Sequence, residues 1–348
     1  MLITVQCTNQ TGFIFAWVDL ISHRMFMPKL LIANNEEAWK KFHSLLISLF
    51  EFLKRHLRKI QLTFPIQLVY RGTLKILLVL LHDFPEFLCD FHLSSTNSIP
   101  TVCIQLRNPI LSAFPRHMKL PDPFSSKFKV DLLPEIEQSP RILSDHAANF
   151  TPELPQNMVE KIYETQDENL ISQLPQKLKL KSGEVEKEGS NYNVPLMNSV
   201  VLQLAVMGIN EKKTKSANLL ELPTTNIFSK LVKQLDAEGR YLFLNSLTNQ
   251  LRYPNNHTHF FSWIILYLFG EVHIDNNSSN QDLQEQITRV LLERLIVFRP
   301  HPWGVLITFI ELVKNRSYIF WERPFIYCAR EIELLFYNIN QETTNHSS

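Results

Sequence analysis

Glycine is scarce in this sequence, and its scarcity bears directly on nucleotide chemistry. The 348 residues include eight glycines, and no GxxxxGKS, GxxxxGKT or GxGxxG run occurs. These motifs need glycine where the backbone approaches a phosphate group closely, because a side chain would block the approach. The sequence therefore offers no phosphate-binding loop, and we exclude most nucleotide-dependent enzymes.

Cysteine is also rare. The four cysteines are Cys7, Cys89, Cys103 and Cys328, and no CxxC pair occurs. Zinc knuckles and redox-active dithiols require closely spaced cysteines. We therefore expect a reducing compartment, no metal site and no cofactor.

The sequence lacks an excess of charge of one sign and lacks long apolar runs. Its 35 lysines and arginines nearly balance 34 acidic residues, so the formal net charge is +1. A balanced surface does not bind nucleic acid through bulk electrostatics.

The start of the sequence, MLITVQCTNQ, has neither the basic region nor the apolar core of a secretory signal. The longest apolar runs, 74–81 and 260–270, fall short of the ~20 residues that span a bilayer. We expect a soluble intracellular protein with no membrane contact.

Apolar residues at helical spacing are abundant, and residues 36–60 show the pattern most clearly. Nine apolar side chains fall on one helix face at spacings of three and four: Trp39, Phe42, Leu45, Leu46, Leu49, Phe50, Leu53, Leu57 and Ile60. This spacing predicts an amphipathic helix. Its basic end, formed by Lys54, Arg55, Arg58 and Lys59, suits the negative pole of the helix dipole. The same four residues are a candidate RNA-contacting face.

Residues 240–336 contain apolar runs of helical length separated by proline and asparagine, which predicts four or five successive helices. One is expected to begin at Asp282, with Glu285 completing a capping box. A polar loop is expected at 211–215. The predicted helix starts give two-helix units of about 45 residues, the period of HEAT-type repeats. We predict an all-α, HEAT-like helical repeat, or α-solenoid.

A single helical domain is predicted over 12–340. It consists of a first half, 12–143, a polar irregular insert, 144–192, and a second half, 193–340. A disordered tail follows at 341–348. The insert contains several prolines, and we predict one weak helix in it, near Met158. The dense charge of the run KLKLKSGEVEKEGS predicts a flexible surface segment around Ser182.

Candidate catalytic and metal-binding groups are few. His257 and His259 are two residues apart, so they point in nearly opposite directions on a helix, and no third ligand lies nearby in the sequence. No GxSxG motif marks a nucleophile. The neighbouring imidazole and carboxyl groups of His82-Asp83 and Asp90-x-His92 keep a hydrolase open as a competing hypothesis. We predict no catalytic, cofactor-binding or metal-binding residues.

Aromatic and basic residues cluster near predicted helix starts, where they could anchor partner peptides in grooves between helices. The candidate partner-binding residues are Arg252, Tyr253, His257, Arg299, His301, Trp303, Trp321 and Arg323.

Four runs of the sequence resemble a known family. They are LLVLLHDFPEFLCDFH at 77–92, CIQLRNPILSAFPRHMKLPDPF at 103–124, EGRYLFLNSLTNQLRYPNNHTHFF at 238–261 and QEQITRVLLERLIVFRPHPWGVLITFIELVKN at 284–315. These runs resemble the C-terminal domain of the Not scaffold proteins, the largest subunits of the Ccr-Not mRNA deadenylase complex.

The resemblance covers about 12–337, more weakly over 149–192, and does not include the C-terminal tail. It implies a non-catalytic HEAT-like domain that docks the heterodimer of the two smaller Not-box subunits. It also implies binding of short linear peptides of RNA-bound repressors, which couples mRNAs to deadenylation and translational repression. The implied location is the cytoplasm, including mRNA-decay granules, and the nucleus. Weak RNA contact is the alternative mode of binding.

Relative to that long scaffold, this sequence begins inside the C-terminal domain. We expect a fragment, a truncated gene model or a short paralogue. If it acts alone, it would bind the Not-box partners without bringing a nuclease and would compete with the full scaffold.

Overall fold

The computed structural model describes residues 11–32, 35–57, 61–125, 130–215, 218–271 and 278–345. The chain forms two compact units. Unit 1 comprises Met1–Met118 and Arg141–Ala148, and unit 2 comprises Lys119–Pro140 and Asn149–Ser348. We call Lys119–Pro140 the crossing segment. Neither unit is continuous in sequence, and the divisions lie at other residues than the predicted 143 and 192.

The described part of unit 1 contains seven α-helices: α1 (Ile14–Ser22), α2 (Met27–Ile32), α3 (Glu36–Leu57), α4 (Phe64–Asp83), α5 (Pro85–Asp90), α6 (His92–Ser98) and α7 (Ile104–Leu111). The predicted stripe of α3 is buried from Trp39 to Leu53, whereas Leu57 is half-buried and Ile60 lies outside the described residues. Glu36 and Glu37 lie in the first turn of α3, where their negative charges interact favourably with the positive end of the helix dipole.

Helix α4 begins with Pro65 in its first turn, where a missing N–H costs nothing. By length and composition alone it could cross a membrane, the one such helix in the described ranges. The same test is passed by core helices of soluble proteins. Its Val69, Ile76, Leu77 and Leu80 are buried in unit 1.

A buried histidine lies at the centre of unit 1. The ring of His43 stacks on Phe91, with ring centroids 4.3 Å apart, and it also meets the edge of Phe87. Its Nε2 is 3.0 Å from Ser94 Oγ and 3.3 Å from Ser95 Oγ. Burial lowers the pKa of His43 to about 4, because the imidazolium would lose its hydration there.

The described part of unit 2 contains ten α-helices: α8 (Gln156–Thr165), α9 (Glu168–Lys177), α10 (Ser182–Glu188), α11 (Val194–Lys215), α12 (Pro223–Gln234), α13 (Ala237–Thr248), α14 (Asn256–Glu271), α15 (Ser278–Leu295), α16 (Trp303–Lys314) and α17 (Arg330–Asn345). Helix α11 packs against α8, α12, α13 and α14. The described residues of both units form helices, short 3-10 turns and isolated bridges, as the all-α prediction requires.

Three helices form in the predicted irregular insert 144–192. Helix α8 confirms the helix expected near Met158, whereas α9 and α10 form where irregular chain and a flexible segment were expected. Few apolar residues suffice for this packing: Ile162, Ile171, Leu174 and Tyr192 are almost fully buried in the core of unit 2.

Three helix boundaries also differ from the sequence predictions. The expected loop at 211–215 is the end of α11, and α15 begins at Ser278, so Asp282 lies inside it rather than at its start. Residues 341–345 of the expected tail belong to α17, and 346–348 lie outside the described residues. Glutamate, lysine and glutamine favour helix as strongly as many apolar residues do, so a polar composition alone does not mark the end of a helix.

A buried loop joins α13 to α14. All of its residues, 249–255, are buried, so its backbone polar groups must find partners inside the protein. The hydroxyl of Thr258 donates to the Gln250 carbonyl at 3.0 Å and accepts from the Arg252 N–H at 3.1 Å. The Asn255 side chain donates to the Tyr253 carbonyl at 2.6 Å and accepts from the Thr258 N–H at 3.0 Å.

Gly304 brings the start of α16 against this loop. Its N–H donates to the Arg252 carbonyl at 2.6 Å. A Cβ atom at this position would lie 2.6 Å from Thr258 Cγ2 and 2.7 Å from the backbone carbon of Leu251. Only glycine permits this approach, because the obstructing atoms include backbone.

A buried arginine joins α15 to α13. Arg294 is 1% exposed, and its Nη2 donates to Asn249 Oδ1 at 2.8 Å and to Asn245 Oδ1 at 3.1 Å. A guanidinium buried without such acceptors would be strongly destabilising. This set of hydrogen bonds therefore fixes the packing of the two helices.

The lowered pKa of His43 predicts a pH-dependent stability. His43 binds a proton near pH 6.5 in the unfolded chain but only near pH 4 in the folded chain. The neutral ring therefore allows full stability above pH 6.5, and stability is lost as the pH falls toward 4. The loss amounts to about 3 kcal/mol. The free energy of unfolding can be measured in denaturant by tryptophan fluorescence. Between pH 7 and pH 4 it should fall by about 3 kcal/mol less in His43→Gln than in the unaltered chain.

His82→Gln is the control, because His82 is exposed. It should keep the decline of the unaltered chain. Equal declines in His43→Gln and the unaltered chain would contradict the assignment.

The close approach at Gly304 predicts that Gly304→Ala is destabilising by about 2 kcal/mol, because the added methyl group meets backbone that cannot move aside. Gly183→Ala is the matched change in α10, where no heavy atom lies within 4 Å of the added Cβ. It should be neutral or stabilising by about 0.5 kcal/mol. The free energy of unfolding of both variants measures the difference, and similar values for the two would refute this account.

Candidate functional site

A cleft of about 400 Å³ opens in unit 2 between α11, α14 and the 3-10 turn Pro134–Glu137 of the crossing segment. Eight residues line it: Ile136, Glu137, Ile209, Lys212, Lys213, Asn256, His259 and Phe260. Ile209 and Phe260 are buried, and Ile136 is half-buried. The cleft therefore has an apolar floor and a polar rim, the usual composition of a binding site.

Hydrogen bonds on both sides of this turn attach the crossing segment to α14, within unit 2. The Asn256 N–H donates to the Gln138 carbonyl at 3.0 Å, and its Nδ2 donates to Ser139 Oγ at 2.8 Å. His259 Nε2 lies 2.9 Å from Asp131 Oδ1. These contacts bring the first turn of α14 to the cleft and hold its far wall in place.

Three of the candidate partner-binding residues lie in the interior. Arg252, Tyr253 and His257 are 1%, 6% and 6% exposed. The Arg252 guanidinium lies over the Tyr253 ring, 5.2 Å from its centroid. Burial, with a smaller effect from Arg252, lowers the pKa of His257 to about 3. The partner-binding position expected for these three is corrected, because Arg252 and Tyr253 lie in the buried loop and His257 is buried in the first turn of α14.

The next three candidates lie between α15 and the first residue of α16. Arg299 is exposed and precedes a cis peptide bond to Pro300. His301 is half-buried, with Nε2 2.7 Å from the Val297 carbonyl oxygen. Trp303 is buried, and its Nε1–H donates to the Pro121 carbonyl of the crossing segment at 3.0 Å. Trp303 is thus an internal anchor and not a surface residue, whereas Arg299 is available at the surface.

Trp321 lies in a 3-10 turn after α16, Arg323 lies between that turn and the next one, and both are half-buried. The Trp321 Nε1–H donates to the Val313 carbonyl at 3.0 Å, and its ring meets Phe320 and Phe336 edge-on. Arg323 Nη2 donates to the Tyr318 carbonyl at 3.0 Å. Their contacts tie the turns to α16 and α17 and leave part of each side chain in solvent.

The candidate RNA-contacting face is described only in part. The Lys54 side chain is 16% exposed and pairs with Glu51 at 4.0 Å. Arg55 is exposed, and Arg58 and Lys59 lie outside the described residues. Of Lys54 and Arg55, only Arg55 has a largely exposed side chain that could reach an RNA phosphate.

The histidine and carboxyl groups considered for catalysis form ion pairs or hydrogen bonds with neighbouring residues. His82 Nδ1 is 2.7 Å from Asp83 Oδ1, and both side chains are exposed. His92 is buried, with Nδ1 3.0 Å from the Cys89 carbonyl oxygen. Asp90 pairs with Arg141 at 3.5 Å. Across the described ranges, no group of three His, Cys, Asp or Glu side chains could hold a metal ion.

The sequence alone does not identify the cleft as a candidate site. It indicates His259 only as a possible metal ligand, and Lys212 and Lys213 only as part of a polar loop. The alternation of apolar Ile209 with two lysines on α11 was the available signal, but it does not show what faces that helix.

Comparisons with known proteins agree on one family. The family model described as "CCR4-Not complex component, Not1" matches residues 1–340. The CCR4-NOT transcription complex subunit let-711 of Caenorhabditis elegans is 43% identical over 96% of this chain. General negative regulator of transcription subunit 1 of Schizosaccharomyces pombe is 36% identical over 99% of it. The chain spans only 13% and 16% of the length of these two relatives.

Two solved structures share the fold. The NOT1 superfamily homology domain from Chaetomium thermophilum matches with a TM-score of 0.87 at 31% identity, covering 98% of this chain and 68% of that one. A Not1 C-terminal domain in complex with Not4 matches with a TM-score of 0.83 at 29% identity, covering 97% of this chain and 66% of that one. The HEAT-like helical fold and the family resemblance expected from the sequence are thereby confirmed: this chain belongs to the Not1 family of CCR4-Not complex components.

Proposed function

We propose that this chain is a non-catalytic docking module of the Ccr-Not complex. It binds the heterodimer of the two smaller Not-box subunits and short peptides of RNA-bound repressors, and so links chosen mRNAs to deadenylation and translational repression. The proposed sites of action are the cytoplasm, including mRNA-decay granules, and the nucleus.

One observation carries the proposal. The fold matches a Not1 C-terminal domain solved in complex with Not4 over 97% of this chain. A helical repeat offers long grooves between helices, which suit partner proteins and peptides better than small substrates. The side chains considered for catalysis are engaged in packing or surface ion pairs, which also supports a binding function.

Among the candidate partner-binding residues, we propose contact through Arg299, His301, Trp321 and Arg323. These four are exposed or half-buried, and they surround the two ends of α16. Arginine and tryptophan are frequent anchors of protein interfaces, because they combine apolar area with hydrogen-bond donors.

Mixing the purified chain with the two Not-box subunits tests the docking function. We expect a single peak of three chains in size-exclusion chromatography. A helical-repeat protein of similar size from outside the family serves as the control and should elute apart. A folded sample, judged by its helical circular dichroism, that elutes apart from the Not-box subunits would reject the proposal.

Direct RNA binding through Lys54, Arg55, Arg58 and Lys59 is the alternative, and it makes a separate prediction. If three phosphates are neutralised on a single strand, log affinity falls with log salt at a slope of about −2. Fluorescence anisotropy with a labelled oligouridine between 50 and 200 mM salt measures the slope. A flat response, or no binding at low salt, would exclude this alternative.

A further inference from the structure

The cleft in unit 2 allows the chemistry of one bound peptide to be specified, and this step rests on the proposed docking function. We propose that the cleft between α11, α14 and the turn Pro134–Glu137 binds a short extended peptide in which a large apolar side chain is flanked by acidic residues.

The floor supplies the site for the apolar side chain. Ile209 and Phe260 close the bottom of the cleft and Ile136 forms part of one wall. The cleft volume of about 400 Å³ accommodates one large side chain together with its backbone. Ile136 keeps part of its surface in water, whereas Ile209 and Phe260 are only 8% and 2% exposed. Covering Ile136 therefore removes apolar surface from water, and the two floor residues add packing contacts.

Asn256 supplies a hydrogen-bond acceptor for a peptide backbone. Its Nδ2 is engaged by Ser139, but its Oδ1 is buried and has no donor within hydrogen-bond distance among the described residues. A buried carbonyl without a partner is unfavourable. Asn256 lines the cleft, so a rotation of its side chain would bring this oxygen to the N–H of an extended peptide, whereas a purely apolar ligand would leave it unpaired.

The rim selects the charge of the flanking residues. Lys212 and Lys213 lie on the α11 wall, and Glu137 lies on the wall formed by the crossing segment. Asp131 is paired with His259. Lysines near the end of a helix also interact with its dipole, so their charge alone assigns no site. Their position beside the apolar lining of the cleft does, and it places the acidic residues of the peptide on the α11 side of the anchor.

Three fluorescein-labelled peptides test the proposal by fluorescence anisotropy with the full chain: Asp-Glu-Phe-Glu-Asp, Lys-Lys-Phe-Lys-Lys and Asp-Glu-Ser-Glu-Asp. The first peptide should bind about tenfold more tightly than the second, because the second has the opposite charge. It should also bind about tenfold more tightly than the third, because the third lacks the apolar anchor. The charge preference should weaken as salt rises.

The double variant Lys212→Glu and Lys213→Glu should reverse the preference, so that the lysine peptide with phenylalanine binds more tightly. Lys75→Glu with Lys161→Glu is the matched control, since both lysines are exposed and neither lines the cleft. It should keep the original preference. Ile136→Ser should weaken both phenylalanine peptides alike, and circular dichroism should show unchanged helix content in every variant.

Two results would overturn the proposal: equal affinity of the unaltered chain for all three peptides, or equal effects of the cleft and control variants. Co-elution with the Not-box subunits separates this proposal from the docking function. If the unaltered chain co-elutes but shows no peptide preference, the cleft proposal alone fails. If the peptide preference is present without co-elution, the docking function fails and the cleft remains a peptide site.

Discussion

The buried connection between α13 and α14 is the constraint on which unit 2 depends. A loop carried into the interior must pair its N–H and C=O groups, because each one left unpaired costs as much as a lost hydrogen bond. Thr258 pairs two of them, and the N–H of Gly304 pairs a third. The start of α16 is therefore fixed by a loop that lies far earlier in the chain, and the absence of a side chain at Gly304 makes the contact sterically possible.

Much of the fold could be predicted from the sequence, since apolar spacing reports directly which helix faces are buried. The stripe of α3 from Trp39 to Leu53 is the clearest case. Helix starts marked by proline, as at Pro65, were also predictable, because that residue restricts the backbone locally. The family resemblance added what periodicity could not supply, namely the HEAT-like arrangement and the complex to which such chains belong.

The rest depends on contacts between distant parts of the chain. Arg252 and Trp303 have the residue types of surface anchors, yet one lies in a buried loop and the other donates to the crossing segment. The helices α8 to α10 have polar outer faces and so resemble irregular chain in composition. The cleft joins residues near 136, 209 and 259, and no local pattern predicts that these three stretches meet.

The crossing segment has a consequence for how the protein forms during synthesis. Unit 1 acquires its final contacts only with Arg141–Ala148, where the Leu143 N–H donates to the Asp90 carbonyl. By then the crossing segment has already left the ribosome, but its partners in α14 and α16 have not been made. Domains usually fold in the order in which they are translated. Here the crossing segment must wait, solvated and without its partners, until most of unit 2 has followed it.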